Sequence, residues 1–164
     1  MPETLIGVMG GGESAPESAV RDAYRLGELI ADEGWVLLNG GRSVGVMDAA
    51  AAGAHSRGGL AIGVLPGDSP AGASEHLDVR IITGMGSARN VINVLSSDVV
   101  IACMGGAGTL SEVALALKHG RPVILLNLDV GALFDAYRER GLLFDAPTPE
   151  AAVALARGLV QERK

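Results

Sequence analysis

The sequence predicts a single α/β domain spanning residues 1–164, with a doubly wound, Rossmann-like parallel sheet and helices on both faces. Short apolar segments rich in β-branched residues alternate with Ala-rich amphipathic segments, which is the pattern of strands joined by helical crossovers. Three glycine-rich turns, at 10–12, 40–45 and 105–108, each lie between a predicted strand and a predicted helix. The length also fits one domain with a sizeable core.

The first predicted elements are a strand and a helix with marked ends. Residues 4–9 are an apolar run of strand length. Ser14 is the expected N-cap of the following helix, with Pro16 in its first turn and Glu17 at the N3 position. Gly34 ends this helix at about residue 33. Its apolar stripe has helical spacing: Ala19, Ala23, Leu26, Leu29 and Ile30.

The middle of the chain continues the alternation of apolar strands and Ala-rich or amphipathic helices. We predict, in order, strand 35–39, helix 47–56, strand 60–65, strand 79–83 and helix 87–96. The connection 66–78 is long and polar, with Gly67, Pro70 and Gly72 along it. Connections of this length are typical of functional or mobile loops.

The last third of the chain adds two strands and three helices. We predict, in order, strand 98–103, helix 113–118, strand 122–126, helix 133–140 and a final helix over 149–163. The apolar residues 142–144 are predicted to form a short turn before the final helix.

Composition restricts the partners and the compartment. A net charge of −6 argues against duplex nucleic acid or an anionic membrane as the main partner. The sequence shows no signal peptide and no apolar run of membrane length. The one cysteine, Cys103, lies in an apolar strand and suits a reducing compartment. We therefore expect a cytoplasmic protein with no nucleic-acid and no membrane partner.

Several common cofactor and metal sites are not indicated. No glycine is followed by lysine, so the P-loop motif is missing, and Ser111 stands where a dinucleotide-binding turn has its third glycine. Lys118 and Lys164 are the only lysines, and neither suits the Schiff base of a pyridoxal-phosphate enzyme. We expect no required cofactor and no metal site, because the histidines are scattered: His55, His76 and His119.

The most informative motif is the run 104–112, Met-Gly-Gly-Ala-Gly-Thr-Leu-Ser-Glu. It joins a predicted buried strand to a helix, so backbone N–H groups of the glycines and of the helix start can approach a phosphate. Thr109 adds a hydroxyl group, and Glu112 adds a carboxylate about one turn further along. The alternative is a tight turn in which Thr109 and Glu112 form a capping box.

The three glycine-rich turns are expected to share one cleft. They follow strands of a parallel sheet, and ligands bind such sheets at the carboxyl ends of the strands. We predict that this cleft binds a small phosphorylated ligand. The residues expected to contact it are Gly10, Gly11, Gly12, Gly40, Gly41, Arg42, Gly45, Gly105, Gly106, Ala107, Gly108 and Thr109.

Arg89 and Glu112 are the candidates for chemistry at this cleft. Arg89 lies near the start of a predicted helix, where the helix dipole disfavours a cation unless an anion is close. It can bind a phosphate or orient Glu112. The alternative is an arginine on a solvated helix face.

Two further segments strengthen a resemblance to a known family. The motif 105–112 is similar to the Pro-Gly-Gly-x-Gly-Thr-x-x-Glu signature of the LOG family within the SLOG superfamily, the cytokinin-activating phosphoribohydrolases once misannotated as lysine decarboxylases. Residues 39–47 resemble its Gly-Gly-Gly-x-x-Gly-Leu-Met segment, and 84–90 lie where the family has Met-x-x-Arg-Lys. The resemblance implies that Arg89 and Glu112 are catalytic residues.

The departures from that pattern indicate a different branch. Met104 replaces the proline of the signature, Asn90 replaces the lysine after Arg89, and the chain is short for a LOG enzyme. The run 83–90 is more similar to the smaller branch that contains molybdenum-cofactor carrier proteins. That resemblance implies a phosphorylated pterin as ligand, and a homodimer or homotetramer.

Two functions remain open from the sequence. The first is a carrier that binds molybdenum cofactor or a similar nucleotide-like ligand, with Arg42 or Arg89 as counter-charge to its phosphate. The second is a phosphoribohydrolase that cleaves a nucleoside 5′-monophosphate, AMP or N6-modified AMP, to the base and ribose 5-phosphate. In that enzyme Glu112 stabilises positive charge at C1′ or activates water, and Arg89 orients it. The presence of both residues favours the enzyme, whereas the short chain and the altered flanks favour the carrier.

Overall fold

A computed structural model describes residues 3–163 and has a seven-stranded sheet in the order β4-β3-β2-β1-β5-β6-β7. All neighbouring strands are parallel. The strands are β1 (Leu5–Met9), β2 (Val36–Asn39), β3 (Ala61–Leu65), β4 (Val79–Ile82), β5 (Val99–Ala102), β6 (Val123–Leu126) and β7 (Leu143–Ala146). The doubly wound parallel sheet predicted from the sequence is confirmed.

The helices cover both faces of this sheet. They are α1 (Glu17–Asp32), α2 (Gly45–Ser56), α3 (Asn90–Ser96), α4 (Ala107–Lys118), α5 (Asp135–Glu139) and α6 (Pro149–Glu162), with a 3-10 turn (Gly86–Arg89) leading into α3. One apolar core packs α1, α2 and α6 on the sheet, and a second packs α3 and α4 on its other face. Successive β5 residues alternate between the cores, because side chains of a strand point to opposite faces: Ile101 joins the first core, and Val100 and Ala102 join the second.

Helices α1 and α2 pack together at glycine contacts. A Cβ added to Gly27 would lie 2.1 Å from the carbonyl oxygen of Ala50, and one added to Gly53 would lie 2.0 Å from that of Tyr24. Real side chains do not fit in such spaces, so these glycines allow the two helix backbones to approach closely. This contact fixes α2 beside the sheet and thereby fixes the turn that precedes it.

Two details of the sequence prediction are wrong. Residues 142–144 do not form a turn: Leu143 begins β7, which pairs with β6 at the edge of the sheet. Helix α1 begins at Glu17 after an extended Pro16 and has no side-chain cap, so Ser14 is not its N-cap. Pro16 has no N–H and a fixed φ, and here these properties place it before the helix and not inside the first turn. The edge strand was missed because three apolar residues do not distinguish a strand from a turn.

The sheet topology locates a binding edge. Strand β1 lies between β2 and β5, and the chain runs outward from it in both directions. A crevice forms outside the carboxyl ends of the strands where the order reverses, which is where ligands bind in open α/β sheets. Within residues 3–163, no helix has the length and apolar character needed to cross a membrane.

Candidate functional site

An open cleft with a cavity volume of about 210 Å³ lies at the carboxyl ends of β1, β2 and β5. All three glycine-rich turns contribute to it, so the structure brings together the segments that the sequence singled out. Its lining residues are Val8, Met9, Gly10, Gly11, Gly12, Glu13, Ser14, Gly40, Arg42, Met47, Arg89, Asn90, Gly106, Gly108, Thr109 and Glu112.

The first turn is held between the other two. The N–H of Gly11 donates to the carbonyl oxygen of Met104 at 3.0 Å, and the carbonyl oxygen of Gly11 accepts from the N–H of Val46 at 3.0 Å. Gly45 has φ +53°, and a Cβ there would lie 2.2 Å from the carbonyl oxygen of Gly12. The glycines at this junction therefore allow three backbone segments to meet.

The second turn is held at both ends by the side chain of Asn39. The side-chain oxygen of Asn39 accepts from the N–H of Gly41 at 2.8 Å, and its Nδ2 donates to the carbonyl oxygen of Met47 at 2.9 Å. Gly41 has φ +76°, a conformation that favours glycine. Of the residues expected to contact a ligand, Gly41 and Gly45 lie outside the cleft lining and shape the turn.

The third turn leaves a helix start open to the cleft. Helix α4 has Gly106 as N-cap, and its first backbone bond is donated by Leu110. The N–H groups of 107–109 have no acceptor among the residues that the structure describes. A Cβ added at Gly106 or Gly108 would meet nothing within 4 Å, so packing does not require these glycines. Without side chains at these two positions, the donor groups of α4 remain accessible.

Two other predicted contact residues of this turn, Gly105 and Ala107, lie outside the lining. A Cβ at Gly105 would lie 2.1 Å from the hydroxyl oxygen of Thr109 and 2.8 Å from the N of Gly11, so this glycine packs the third turn against the first. The capping-box alternative is wrong, because Thr109 and Glu112 both lie inside α4. The Glu112 side chain bonds α3 and not the helix start.

Arg89 lies half-buried at the end of the 3-10 turn, and it contacts only neutral acceptors among the described residues. Its Nε donates to the carbonyl oxygen of Val64 at 2.9 Å, and its terminal nitrogens donate to the carbonyl oxygen of Gly40 and to the Asn90 side chain. Burial lowers the pKa of Arg89, and the negative charge of Glu112 opposes that change. Its positive charge therefore lies in the cleft without an ion-pair partner among residues 3–163.

Gly40 allows this position of Arg89. A Cβ at Gly40 would lie 2.7 Å from a terminal nitrogen of Arg89 and 2.8 Å from the sulfur of Met47. Asn90 connects Arg89 to α4, because its Nδ2 donates to the Ser111 hydroxyl at 3.1 Å and that hydroxyl donates to the carbonyl oxygen of Gly108 at 2.6 Å. The guanidinium is therefore fixed relative to the start of α4.

Glu112 is a nearly buried carboxyl, 7% exposed, on the wall of the cleft. Its Oε1 accepts from Nδ2 of Asn93 at 3.1 Å. Burial raises the pKa of Glu112 to about 7, although the Asn93 hydrogen bond and the charge of Arg89 favour the ionised form. Arg89 and Glu112 form no ion pair, so the expected direct pairing of these side chains is absent from the described structure.

Arg42 is already paired with an acid. Its terminal nitrogen lies 2.6 Å from Oε1 of Glu13, and both side chains are substantially exposed. Hydrogen bonds from its own backbone and from Arg42 lower the pKa of Glu13. This ion pair joins the first and second glycine-rich turns at the mouth of the cleft.

Sequence reasoning missed Glu13 and Asn93, and it noted Asn90 only as a departure from the LOG pattern. The available signal for Asn93 was a polar residue in the largely apolar segment Asn90–Ser96. Glu13 had no signal, because its partner Arg42 is 29 positions away. Within 3–163, no group of three or more His, Cys, Asp or Glu side chains has an arrangement that could hold a metal ion.

Comparisons with known proteins show the family of this chain and its structural neighbours. A family model described as the SLOG cluster4 family matches residues 3–153. The molybdenum cofactor binding protein of the phototrophic bacterium Rippkaea orientalis has a solved structure that is 52% identical, with a TM-score of 0.93 over 98% of this chain and 99% of that one. The molybdenum cofactor carrier protein of Chlamydomonas reinhardtii is 44% identical, with a TM-score of 0.90 over the same shares.

LOG enzymes are more distant relatives. A cytokinin riboside 5′-monophosphate phosphoribohydrolase of Mycobacterium tuberculosis is 33% identical over 113 residues, which is 64% of this chain and 60% of that protein. The match therefore spans less than two thirds of that enzyme. Together these comparisons confirm the resemblance to the SLOG superfamily and to its carrier-like branch.

Proposed function

This chain belongs to the SLOG cluster4 family, and from that premise we propose that it binds and carries a phosphorylated, nucleotide-like ligand of the molybdenum-cofactor type. The observation that carries the proposal is the Arg89 guanidinium in the cleft, which has no ion-pair partner within residues 3–163. Arg89 is half-buried, bonds only neutral acceptors among the described residues, and lies beside a helix start with free N–H donors. A buried cation of this kind is stabilised by an anionic ligand.

The phosphate of the ligand would lie at the start of α4. The N–H groups of 107–109 and the positive end of the helix dipole favour an anion there. The bare positions at Gly106 and Gly108 leave room for phosphate oxygens close to the backbone. Arg89 would supply the counter-charge, and Arg42 would contribute once it releases Glu13.

The organic part of the ligand would occupy the rest of the cleft. The cavity volume of about 210 Å³ is below the usual range for small-molecule sites, roughly 300–1,000 Å³, so part of the organic group would extend beyond the cleft. Met47 adds a half-buried apolar surface beside the polar turns, whereas Val8 and Met9 are buried. A flat heterocycle such as a pterin fits a lining of this kind, because thioether groups pack well against aromatic rings.

The structural details of Arg89 and Glu112 favour binding over cleavage. Burial raises the pKa of Glu112 to about 7, so its neutral form is accessible near neutral pH and can donate a hydrogen bond to an anionic ligand. Arg89 is held by Val64, Gly40 and Asn90 and does not orient Glu112 through an ion pair. Both features suit a site that retains its ligand intact.

Phosphoribohydrolase activity is the second candidate function. The observation that favours it is the position of Glu112 on the cleft wall with one carboxylate oxygen free. This activity requires a nucleoside 5′-monophosphate, AMP or N6-modified AMP, bound with its phosphate at α4.

One experiment separates the two functions. The protein is mixed anaerobically with molybdenum cofactor released from a denatured molybdoenzyme, and binding is followed by protection of the pterin from oxidation. In parallel, the protein is incubated with AMP and N6-modified AMP, and ribose 5-phosphate is measured. We expect saturable protection and no ribose 5-phosphate. Release of ribose 5-phosphate by the wild-type protein but not by Glu112→Ala would contradict the carrier proposal.

We also propose a cytoplasmic homo-oligomer, a homodimer or homotetramer, with no nucleic-acid or membrane partner and no required cofactor. The net charge of −6 and the single buried Cys103 support this proposal. Exposed apolar side chains on the edge strand β4, Val79, Ile81 and Ile82, offer surface for self-association. Sedimentation equilibrium measures the mass directly, and a monomer at all concentrations would contradict the oligomer.

A further inference from the structure

A buried polar pair lies behind the cleft and is not explained by phosphate binding. Asn93 on α3 is 0% exposed, and its Nδ2 donates to Oε1 of Glu112 at 3.1 Å. The other carboxylate oxygen, Oε2, has no hydrogen-bond partner in residues 3–163, and it keeps some solvent exposure. Oε2 is therefore the carboxylate oxygen that is available to solvent and to a ligand.

One atom of the buried Asn93 side chain destabilises the folded state. Its own Oδ1 is fully enclosed and lacks a hydrogen-bond partner among the described residues. A buried carbonyl without a donor destabilises the folded state, and an apolar side chain of similar shape avoids that cost. The hydrogen bond from Nδ2 to Glu112 is what the amide supplies and an apolar residue does not.

Few other groups near Glu112 can change the protonation of its carboxyl group. The elements packed against its helix α4, namely α3, β5 and β6, contain no titratable side chain within their bounds. The other charged groups that line the cleft are Glu13, Arg42 and Arg89. Glu13 and Arg42 pair with each other, and Arg89 makes no ion pair with Glu112. Asn93 is thus the direct hydrogen-bond donor to Glu112 within 3–163.

We propose that Asn93 is a positioning residue that holds Oε1 of Glu112 as the accepting oxygen, so that Oε2 carries the carboxyl proton toward the cleft and takes it up when an anionic ligand binds. The step transfers one proton from hydronium or a buffer acid to Oε2: an O–H bond forms on Glu112, the donor's bond to that proton breaks, and no oxidation state changes. Neutral Glu112 then donates an O–H group instead of repelling the anion. Only the uptake on binding rests on the proposed function; the role of Asn93 in the free protein does not.

The direction of each effect follows from the electrostatics of the site. Burial raises the pKa of Glu112 to about 7, and the Asn93 hydrogen bond opposes that rise. Removing the donor leaves burial less opposed, so the proton affinity of Glu112 increases. An anion bound in the cleft increases it further, because a nearby like charge disfavours the carboxylate.

The first test uses the free protein with ¹³C-carboxyl-labelled glutamate and follows each signal by NMR as a function of pH. The signal missing in Glu112→Gln assigns Glu112. We expect Asn93→Leu to raise the proton affinity of Glu112 about tenfold. Asn93→Ser is a second variant if the leucine does not fold. Ser97→Ala is the matched control, because Ser97 donates to the backbone oxygen of Asn93 at 2.7 Å but does not touch Glu112.

An unchanged Glu112 titration in a folded Asn93 variant, or an equal change in Ser97→Ala, would overturn the assignment of Asn93. The second test repeats the wild-type titration with sulfate, which remains a dianion throughout. We expect the Glu112 midpoint to move to higher pH. If sulfate shifts other cleft signals but leaves that midpoint unchanged, proton uptake is disproved. If sulfate shifts no cleft signal, the phosphate site of the proposed function fails, whereas the first test still decides the role of Asn93.

Discussion

Helices α2 and α4 both begin at a glycine-rich turn on the carboxyl edge of the sheet, yet their first N–H groups are used differently. At α2, the N–H of Val46 donates to the carbonyl oxygen of Gly11 and Gly45 packs against the backbone of Gly12, while the N–H groups of Gly45 and Met47 have no acceptor in the described chain. At α4, the N–H groups of 107–109 have no acceptor in the described chain, and Gly108 has free space around it. The comparison teaches that a glycine-rich turn binds an anion only where its donors are not used by the protein itself.

The largest expected effect is on stability, from a substitution in the glycine-rich turn that precedes α2. Gly45→Ala places a Cβ on a residue with φ +53° and 2.2 Å from the carbonyl oxygen of Gly12. We expect the free energy of unfolding to fall by about 3 kcal/mol, from left-handed strain and from the displaced backbone. Urea denaturation measures it. A loss below about 1 kcal/mol would show that the contact between the two turns is not tight.

The next largest effect is expected on ligand affinity, when the arginine near the start of α4 is removed. Arg89→Met removes the guanidinium that lacks an ion-pair partner, and we expect the affinity for molybdenum cofactor to fall about 30- to 100-fold. The matched variant is Arg42→Met, which removes a cation already paired with Glu13 and exposed to solvent. It should lower affinity only about threefold. Equal losses in the two variants, measured by equilibrium binding, would remove the distinction between them.

The pH dependence of stability tests the carboxyl on α4. Burial raises the pKa of Glu112 from 4.5 to about 7, so the folded state binds more protons than the unfolded chain between these values. Stability therefore falls as pH rises from about 4.5 to about 7, and the loss persists above that range. Glu112→Gln stays neutral and keeps an acceptor for Asn93. We expect it to exceed the wild type by about 2 kcal/mol at alkaline pH and to converge with it in acid. A difference independent of pH would contradict this.

The smallest effect is expected for Gly108 at the start of α4, where one substitution should change stability and affinity in opposite directions. Gly108→Ala adds a Cβ that meets no protein atom within 4 Å. We expect the free energy of unfolding to rise by about 0.5 kcal/mol, because alanine favours the helix. Affinity should fall about tenfold, because the Cβ occupies space that a phosphate would use. Thermal unfolding and equilibrium binding on the same samples test both directions, and unchanged affinity would place the phosphate elsewhere.

Most of the fold was predictable because it depends on local patterns. Apolar runs of strand length and Ala-rich amphipathic helices gave six of the seven strands in the right order along the chain. The missed strand, β7, is an edge strand of four residues whose identity comes from pairing with β6. The absent Ser14 cap has a similar origin, since Pro16 and the packing of the turns determine where α1 begins.

The sequence predicted where the candidate site lies, but it did not predict which side chains contact each other there. Glycines between strands and helices mark the binding edge, because parallel strands end together. The partners of the key side chains come from distant segments: Asn93 is 19 positions from Glu112, and Gly40 is 49 positions from Arg89. No local pattern specifies such pairs.

The sequence by itself determined the fold class, the edge of the sheet that carries the cleft, and the residues Arg89 and Glu112 within it. These follow from periodicity and from glycine placement, which act over a few residues. Only the tertiary structure decided that Gly11 takes the N–H of Val46 at α2 while the N–H groups of 107–109 stay without an acceptor among the described residues, that Arg42 and not Arg89 has an ion-pair partner within 3–163, and that Glu112 is buried against Asn93. Hydrogen-bond donors are consumed by whichever acceptor the packing brings near, so their availability is a property of the assembled fold.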